Sequence, residues 1–224
     1  MADKHAGFKK ISCGIYAVLQ FAGGAMNASP QALNDLIGSR ICHDLISPIG
    51  AISNGVELIS MNATTAGPEL SLISDSVDGA NAKIRYFRIA FGAARPGQMV
   101  NRSEIINILA DTTRGSRLVI EWTPEAAQDR TQVKLAFLLL MCFETALPWG
   151  GRVQVNAIGD QWAINAKADQ IKIDPDLWRQ LSDTGTQTHS EPANVHFALA
   201  GLFAHDMSRS VKVDVSETSV RVRF

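Results

Sequence analysis

Apolar residues recur every three or four positions between residues 29 and 61, which predicts a long amphipathic helix. Ser29-Pro30 marks its start, since Ser is a favoured N-cap and Pro suits the first helical position. The next break in the pattern is at residues 62–67, so the helix has roughly 30 residues and a length of about 45 Å. The stripe expected to be buried comprises Ile37, Ile41, Leu45, Ile49 or Ile52, Val56 and Ile59.

A second helix is predicted from Pro68 to about residue 91. Its apolar positions alternate in steps of three and four, typical of a coiled-coil seam: Leu70, Ile73, Val77, Ala80, Ile84, Phe87 and Phe91. Two long helices joined by a short loop predict an antiparallel hairpin. A single hairpin cannot cover so wide an apolar face, whereas two copies packed as a four-helix bundle can. The pattern therefore predicts a homodimer.

From about Met99 the pattern changes to short strands alternating with helices. Strands are predicted at 117–122, 152–157, 162–168, 211–215 and 220–224, and helices at 101–111, 130–147 and 195–207. Helices with adjacent antiparallel strands favour an α/β sandwich. The chain is thus predicted to be an α+β protein with a tail over 1–28, a helical hairpin domain over 29–95 and a sandwich domain over 96–224.

The composition argues against several classes of protein. With 224 residues and a formal net charge of -1, the chain has no basic excess with which to bind nucleic acid. No apolar run reaches the ~18 residues of a membrane span, so no membrane association is expected. The stretch after Lys9-Lys10 only faintly resembles a signal peptide, because Gly14 and Gln20 interrupt it.

Cysteine and histidine spacing points to a cytoplasmic protein without a metal. The three cysteines form no CxxC pair, which fits a reducing compartment. None of the five histidines lies at metal-ligand spacing from another histidine or a cysteine. We therefore expect no metal site in this chain and a location in the cytoplasm.

The segment from Ser39 to Gly55 contains the candidate chemistry. His43 lies about 200° around the helix from Ile41, so its ring should point away from the buried stripe. Arg40 lies one turn before it, and three residues follow on the same face: Ser47, Gly50 and Asn54. Because Gly50 is small, this face leaves room for another protein to approach His43.

An exposed imidazole with one unprotonated nitrogen is able to accept a phosphoryl group. Asp44 is placed to orient the ring or take its proton, and Ser47 to bond the ring or the phosphoryl oxygens. Pro48 has no N–H, so the carbonyl of Asp44 loses its helical partner and the helix should bend there. An interior Pro costs ~3 kcal/mol, which sets His43 apart from an ordinary surface histidine.

The run HDLISP, residues 43–48, matches the H-box of histidine kinase dimerisation domains. The longer run from Ile41 to Leu58 resembles the ChpT-like histidine phosphotransferases of alphaproteobacterial cell-cycle phosphorelays. The resemblance implies that His43 receives a phosphoryl group from the receiver domain of a CckA-like hybrid histidine kinase. It also implies transfer to CtrA-like and CpdR-like response regulators, with Mg²⁺ held by the receiver domain and no cofactor bound by this chain.

In histidine kinases such a hairpin is followed by an ATP-binding sandwich, and here that sandwich looks degenerate. Thr145 occupies the position of the Asn expected to hold magnesium. Residues 162–181 contain no glycine, and Thr184-Gly185-Thr186 is too sparse for a phosphate-binding lid. The sequence therefore predicts phosphotransfer without ATP and disfavours a complete histidine kinase.

Five further residues are candidates for partner docking: Arg40, Gly50, Asn54, Arg85 and Arg88. For the charged and amide side chains, solvation of a helix surface is an equally good interpretation. The alternative function is a dimeric scaffold or inhibitor that binds receiver domains without chemistry. A scaffold has no need of His next to Asp, so HDLISP favours the phosphotransferase.

Overall fold

A computed structural model describes residues 30–61, 67–95, 97–183 and 191–224. The predicted tail and the Thr184-Gly185-Thr186 segment lie outside these residues. Two long helices, α1 (Pro30–Met61) and α2 (Gly67–Ala90), begin and end close to the predicted positions. Neither they nor any other described helix combines the length and apolar character needed to cross a bilayer.

The two helices form an antiparallel hairpin. Gly55 lies against Ile73 near the turn, whereas the carbonyl of Asp44 meets Lys83 further along α2. A Cβ atom at position 55 would lie 2.5 Å from Cγ1 of Ile73, so glycine permits the close approach of the helices. The predicted hairpin is confirmed.

Each helix of the hairpin buries only part of its apolar stripe in a single chain. Half-buried positions include Ile41, Leu45 and Ile52 on α1, and Ile73 on α2. Large apolar side chains that remain exposed on the hairpin are Ile46, Ile49, Val56, Leu58, Leu70, Leu72, Val77 and Ile84. Leu70, Val77 and Ile84 are seven residues apart, so they form one continuous strip along α2.

The rest of the described chain contains four α-helices, a five-stranded sheet and a two-stranded pair. The helices are α3 (Arg102–Thr112), α4 (Arg130–Ala146), α5 (Pro175–Arg179) and α6 (Val195–Asp206). The strands are β1 (Met99–Val100), β2 (Leu118–Trp122), β3 (Gln128–Asp129), β4 (Gly151–Ile158), β5 (Gln161–Lys167), β6 (Lys212–Val215) and β7 (Ser219–Arg223).

The five-stranded sheet has the order β2-β4-β5-β7-β6. β2 runs parallel to β4, and the other neighbours are antiparallel. Alternate residues of β4 and β5 are buried, as period-two patterning requires. The predicted mixed α/β architecture is confirmed, whereas the β1–β3 pair, the short helix α5 and the parallel pairing of β2 were not predicted.

The end of α2 is built into the core of the sandwich. Tyr86, Phe87, Ile89 and Ala90 are buried in the same cluster as most of α4. The hydroxyl of Tyr86 donates a hydrogen bond of 2.8 Å to the carbonyl of Phe137. This shared core fixes the hairpin relative to the sandwich.

Two cations of α4 bind carbonyls at the end of α2. Arg130 donates to the carbonyls of Arg88 and Ala93, and Lys134 donates to that of Gly92. The last carbonyls of a helix have no partner within it, so cations at this end stabilise the terminus. These bonds hold the connection between hairpin and sandwich in one conformation.

Candidate functional site

The imidazole of His43 stands on the outer face of α1. Its side chain is 80% exposed, as the helical spacing predicts. Nδ1 of the ring lies 3.1 Å from Oδ1 of Asp44. When Asp44 accepts a hydrogen bond from Nδ1–H, the neutral ring is in the Nδ1–H tautomer, and Nε2 carries the free lone pair.

Asp44 is held from its other side. Its side chain is only 15% exposed, and Oδ2 accepts a hydrogen bond of 2.8 Å from Nε of Arg40, one helical turn earlier. Nη1 of Arg40 also donates to the carbonyl of Ala193. Ala193 belongs to a single 3₁₀ turn, Pro192–Asn194, that leads into α6. The carboxylate beside His43 is therefore anchored to the sandwich as well as to α1.

The structure supplies a partner for the carbonyl that Pro48 leaves unbonded. The helix continues through Pro48, which has no N–H to donate to the carbonyl of Asp44. Nζ of Lys83, on α2, donates to that carbonyl at 3.0 Å. Lys83 thus replaces the missing backbone donor, and it fixes the backbone of Asp44 as Arg40 fixes its side chain. The predicted sites did not include Lys83.

Replacing Lys83 with Met should lower the free energy of unfolding by about 1 kcal/mol, because a partly buried carbonyl loses its donor. In a Pro48→Ala background the cost should shrink by at least ~0.5 kcal/mol, since the N–H of residue 48 can then serve the same carbonyl. Urea unfolding of the wild type, both single variants and the double variant measures this coupling. If Lys83→Met lowers the free energy of unfolding equally in the two backgrounds, Lys83 does not replace the missing backbone N–H of residue 48.

The predicted partner-facing residues share one open surface with His43. Ser47, Gly50 and Asn54 are all exposed. A Cβ atom at Gly50 would have no neighbour within 4 Å, so the surface one helical turn beyond Ser47 is unobstructed. Nothing in the described part of the chain blocks the approach of another protein to this face.

The two arginines of α2 predicted as docking candidates are paired within the chain. Arg85 donates to Asp111 of α3 at 2.7 Å, and Arg88 lies 3.6 Å from Glu104. The sequence allows docking or solvation for these arginines and gives no sign of their ion pairs with α3. A docking role for them stays a prediction, as it does for Asn54.

Thr145, at the position predicted to have lost a magnesium ligand, contacts α6. The hydroxyl of Thr145 donates to the carbonyl of Met141 at 3.1 Å and lies 3.2 Å from Nε2 of His196. His196 is completely buried, and its Nδ1 has no hydrogen-bond partner among the described residues. The pKa of His196 is lowered to about 3, mainly by burial and in smaller part by the charge of Arg40, while the charge of Asp44 opposes the shift.

This histidine should make the fold sensitive to acid. Unfolded His196 takes up a proton near pH 6.5, whereas the folded ring stays neutral down to about pH 3. Between these values the free energy of unfolding should fall by up to about 1.4 kcal/mol per pH unit as the pH drops. His196→Leu should flatten that dependence in urea unfolding at pH 7, 6 and 5, with His205→Leu, an exposed position of α6, as the control. Identical pH slopes for wild type and His196→Leu would contradict it.

No group of His, Cys, Asp and Glu suitable for a metal ion occurs within the described ranges. Around His43 the described ionisable groups are instead Arg40, Asp44 and Lys83. Glu144 of α4 also lies within their electrostatic reach, since the charges of all three act on its carboxyl group. The site therefore presents an exposed imidazole beside a carboxylate that is held by Arg40.

Comparison with known proteins shows the family to which the chain belongs. Residues 102–219 match the family described as the histidine phosphotransferase C-terminal domain. The protein phosphotransferase ChpT of Brucella abortus (strain 2308) is 31% identical over 172 residues, which cover 73% of this chain and 79% of that protein.

Similar folds are found among solved structures. A bacterial phosphotransferase solved at 1.7 Å resembles the chain with a TM-score of 0.73 and 26% identity, over 87% of this chain and 96% of the other. The histidine kinase domain from Erythrobacter litoralis EL346 is a more distant likeness, with a TM-score of 0.41 and 10% identity over 87% of this chain and 93% of that one.

Proposed function

The chain belongs to the histidine phosphotransferase family, and from that premise we propose that it carries a phosphoryl group on His43. The donor is the receiver domain of a hybrid histidine kinase, and the acceptors are the receiver domains of response regulators. The observation that carries this proposal is the exposed ring of His43 with Nδ1 facing the anchored carboxylate of Asp44. We propose that this transfer takes place in the cytoplasm, and the cysteine pattern, which favours a reducing compartment, supports this location.

In the proposed transfer, Nε2 of neutral His43 attacks the phosphorus of an aspartyl phosphate in the donor receiver. The bond from phosphorus to the receiver's carboxylate oxygen breaks, and that carboxylate leaves with its electron pair. Asp44 stabilises the positive charge that develops on the ring through its contact with Nδ1. Mg²⁺ in the receiver offsets the charge of the phosphoryl oxygens, and positioning supplies most of the remaining rate gain. The same steps in reverse pass the group to the second receiver.

We further propose that no ATP takes part and that the chain binds no cofactor of its own. Thr145, at the position where a magnesium-holding Asn is expected, is engaged by Met141 and His196. Residues 162–181, which include most of β5 and all of α5, contain no glycine at which a backbone could approach phosphates. The chain should give no fluorescence change with trinitrophenyl-ATP and no label from radioactive ATP. Saturable binding of the nucleotide would contradict this part of the proposal.

The experiment that tests the function is a two-step transfer. The purified chain is mixed with a radiolabelled phosphorylated hybrid-kinase receiver, re-isolated, and then given a second receiver. We expect label on the chain that is labile in acid and stable in base, as phosphohistidine is, followed by its loss to the second receiver. Receiver binding without any label would instead support the scaffold or inhibitor.

A further inference from the structure

We propose that Arg40 is a positioning residue that makes the orientation of the His43 ring depend on the seating of the sandwich against α1. This role rests on the proposed function of His43 and goes beyond it. The sequence allows either docking or solvation for Arg40, whereas the structure places its guanidinium between two acceptors of the same chain.

The contacts of Arg40 join two parts of the molecule. Nε donates to Oδ2 of Asp44 at 2.8 Å, and Nη1 donates to the carbonyl of Ala193. Asp44 belongs to α1, whereas Ala193 belongs to the turn before α6 and lies 153 residues after Arg40 in the sequence. The Arg40 side chain is only 18% exposed, so little of it is available to a docking protein. A planar guanidinium suits such a bridge because its donors point in fixed, different directions.

The bridge decides which way the carboxylate of Asp44 faces. With Oδ2 bound to Arg40, Oδ1 is left toward Nδ1 of His43 at 3.1 Å. Lys83 holds the carbonyl of the same residue, so Asp44 is fixed at its backbone and at its side chain. Without Arg40 the carboxylate is free to rotate into water, and the preference of the ring for the Nδ1–H tautomer should weaken.

Among the described residues, no second carboxylate lies within salt-bridge distance of Arg40. Asp44 lies on its own helix, Lys83 faces the site from α2, Glu144 from α4 and His196 from α6. Asp44 is the carboxylate that Arg40 contacts within salt-bridge distance among the described residues. Arg40 should therefore hold the carboxylate of Asp44 in place.

Nuclear magnetic resonance of the unphosphorylated, ¹⁵N-labelled full chain tests the proposal directly. Long-range ¹H–¹⁵N spectra report which ring nitrogen carries the proton, and the His43 signals are identified by their absence in His43→Ala. We expect the Nδ1–H tautomer in the wild type and a shift toward Nε2–H in Arg40→Gln. The rate of phosphoryl transfer in Arg40→Gln should fall about tenfold, with the affinity for the donor receiver unchanged.

Two further variants make the test decisive. Arg40→Lys keeps the positive charge, but a single ammonium cannot donate to both acceptors in fixed directions. It should therefore not restore the wild-type tautomer or the wild-type transfer rate. It replaces Arg40→Gln in the test if that variant fails to fold. Arg179→Gln removes a comparable Arg–Asp pair, 2.9 Å from Asp176 on α5, and should change neither quantity.

An unchanged tautomer in both Arg40 variants would overturn the proposal, and so would a loss of receiver affinity without a change of tautomer. Failure of the proposed function is a separate result, since it would show as label retained by His43→Ala whatever the tautomer is.

Discussion

Replacing His43 with Ala is expected to abolish phosphoryl transfer while leaving the fold intact. The variant lacks the nucleophile, so label from a phosphorylated receiver should fall by more than about a thousandfold. The side chain is 80% exposed and fills no cavity, so the free energy of unfolding should change by no more than about 0.5 kcal/mol. The measurement is the amount of acid-labile label on the chain, together with a urea unfolding curve.

The matched control for this experiment is His205→Ala. His205 is also an exposed histidine on a helix and is followed by an acid, Asp206, but it lies at the end of α6, and no hydrogen bond joins these two side chains among the described contacts. This variant should be labelled as fast as the wild type. Retained labelling of His43→Ala would defeat the assignment of His43, whereas loss of labelling in both variants would point to a general effect of histidine removal.

We propose that the exposed strip on the hairpin is covered by a second copy of this chain, so its disruption should have the second large effect. Val77 and Ile84 lie seven residues apart on α2 and are 39% and 50% exposed in a single chain. In a four-helix bundle each would face the partner hairpin, so Val77→Glu with Ile84→Glu would bury four unpaired carboxylates per dimer. The dissociation constant should rise by more than about a thousandfold, because each buried charge costs several kcal/mol.

Size-exclusion chromatography with light scattering measures this effect at micromolar concentration. The wild type should have twice the mass of the chain, and the double variant should have the monomer mass with an unchanged circular dichroism spectrum. Val119→Glu with Ile158→Glu is the control, because these residues are also exposed, at 48% and 84%, but lie on strands β2 and β4 of the sandwich. A monomeric wild type, or a double variant that still dimerises, would contradict the bundle.

The elements of this fold could be predicted because their signals are local. Apolar steps of three and four predict the hairpin, and alternating apolar and polar residues predict a strand such as β4, since both patterns follow from backbone geometry alone. The pairing of β2 parallel to β4 was not predicted, because it depends on how α4 crosses between them. The two-residue strands β1 and β3 are too short to leave a periodic signal.

The candidate site divides in the same way. The exposure of His43 and its closeness to Asp44 follow from helical spacing, so the sequence was enough to predict them. The contacts of Asp44 with Lys83 and of Arg40 with Ala193 join elements 39 and 153 residues apart, and no local pattern encodes them. The ion pairs of Arg85 and Arg88 could not be predicted either, because the sequence around a surface arginine does not show whether an acid on α3 faces it.

The burial of Tyr86, Phe87, Ile89 and Ala90 within the sandwich affects how the protein can be handled. Trimming the chain after residue 95 to obtain the hairpin alone would uncover these side chains to water. Such a fragment would then expose a hydrophobic surface at the end of α2 and would aggregate. The two halves should accordingly melt together in one calorimetric peak, and anyone wishing to study the hairpin by itself would first need to replace these four residues with polar ones.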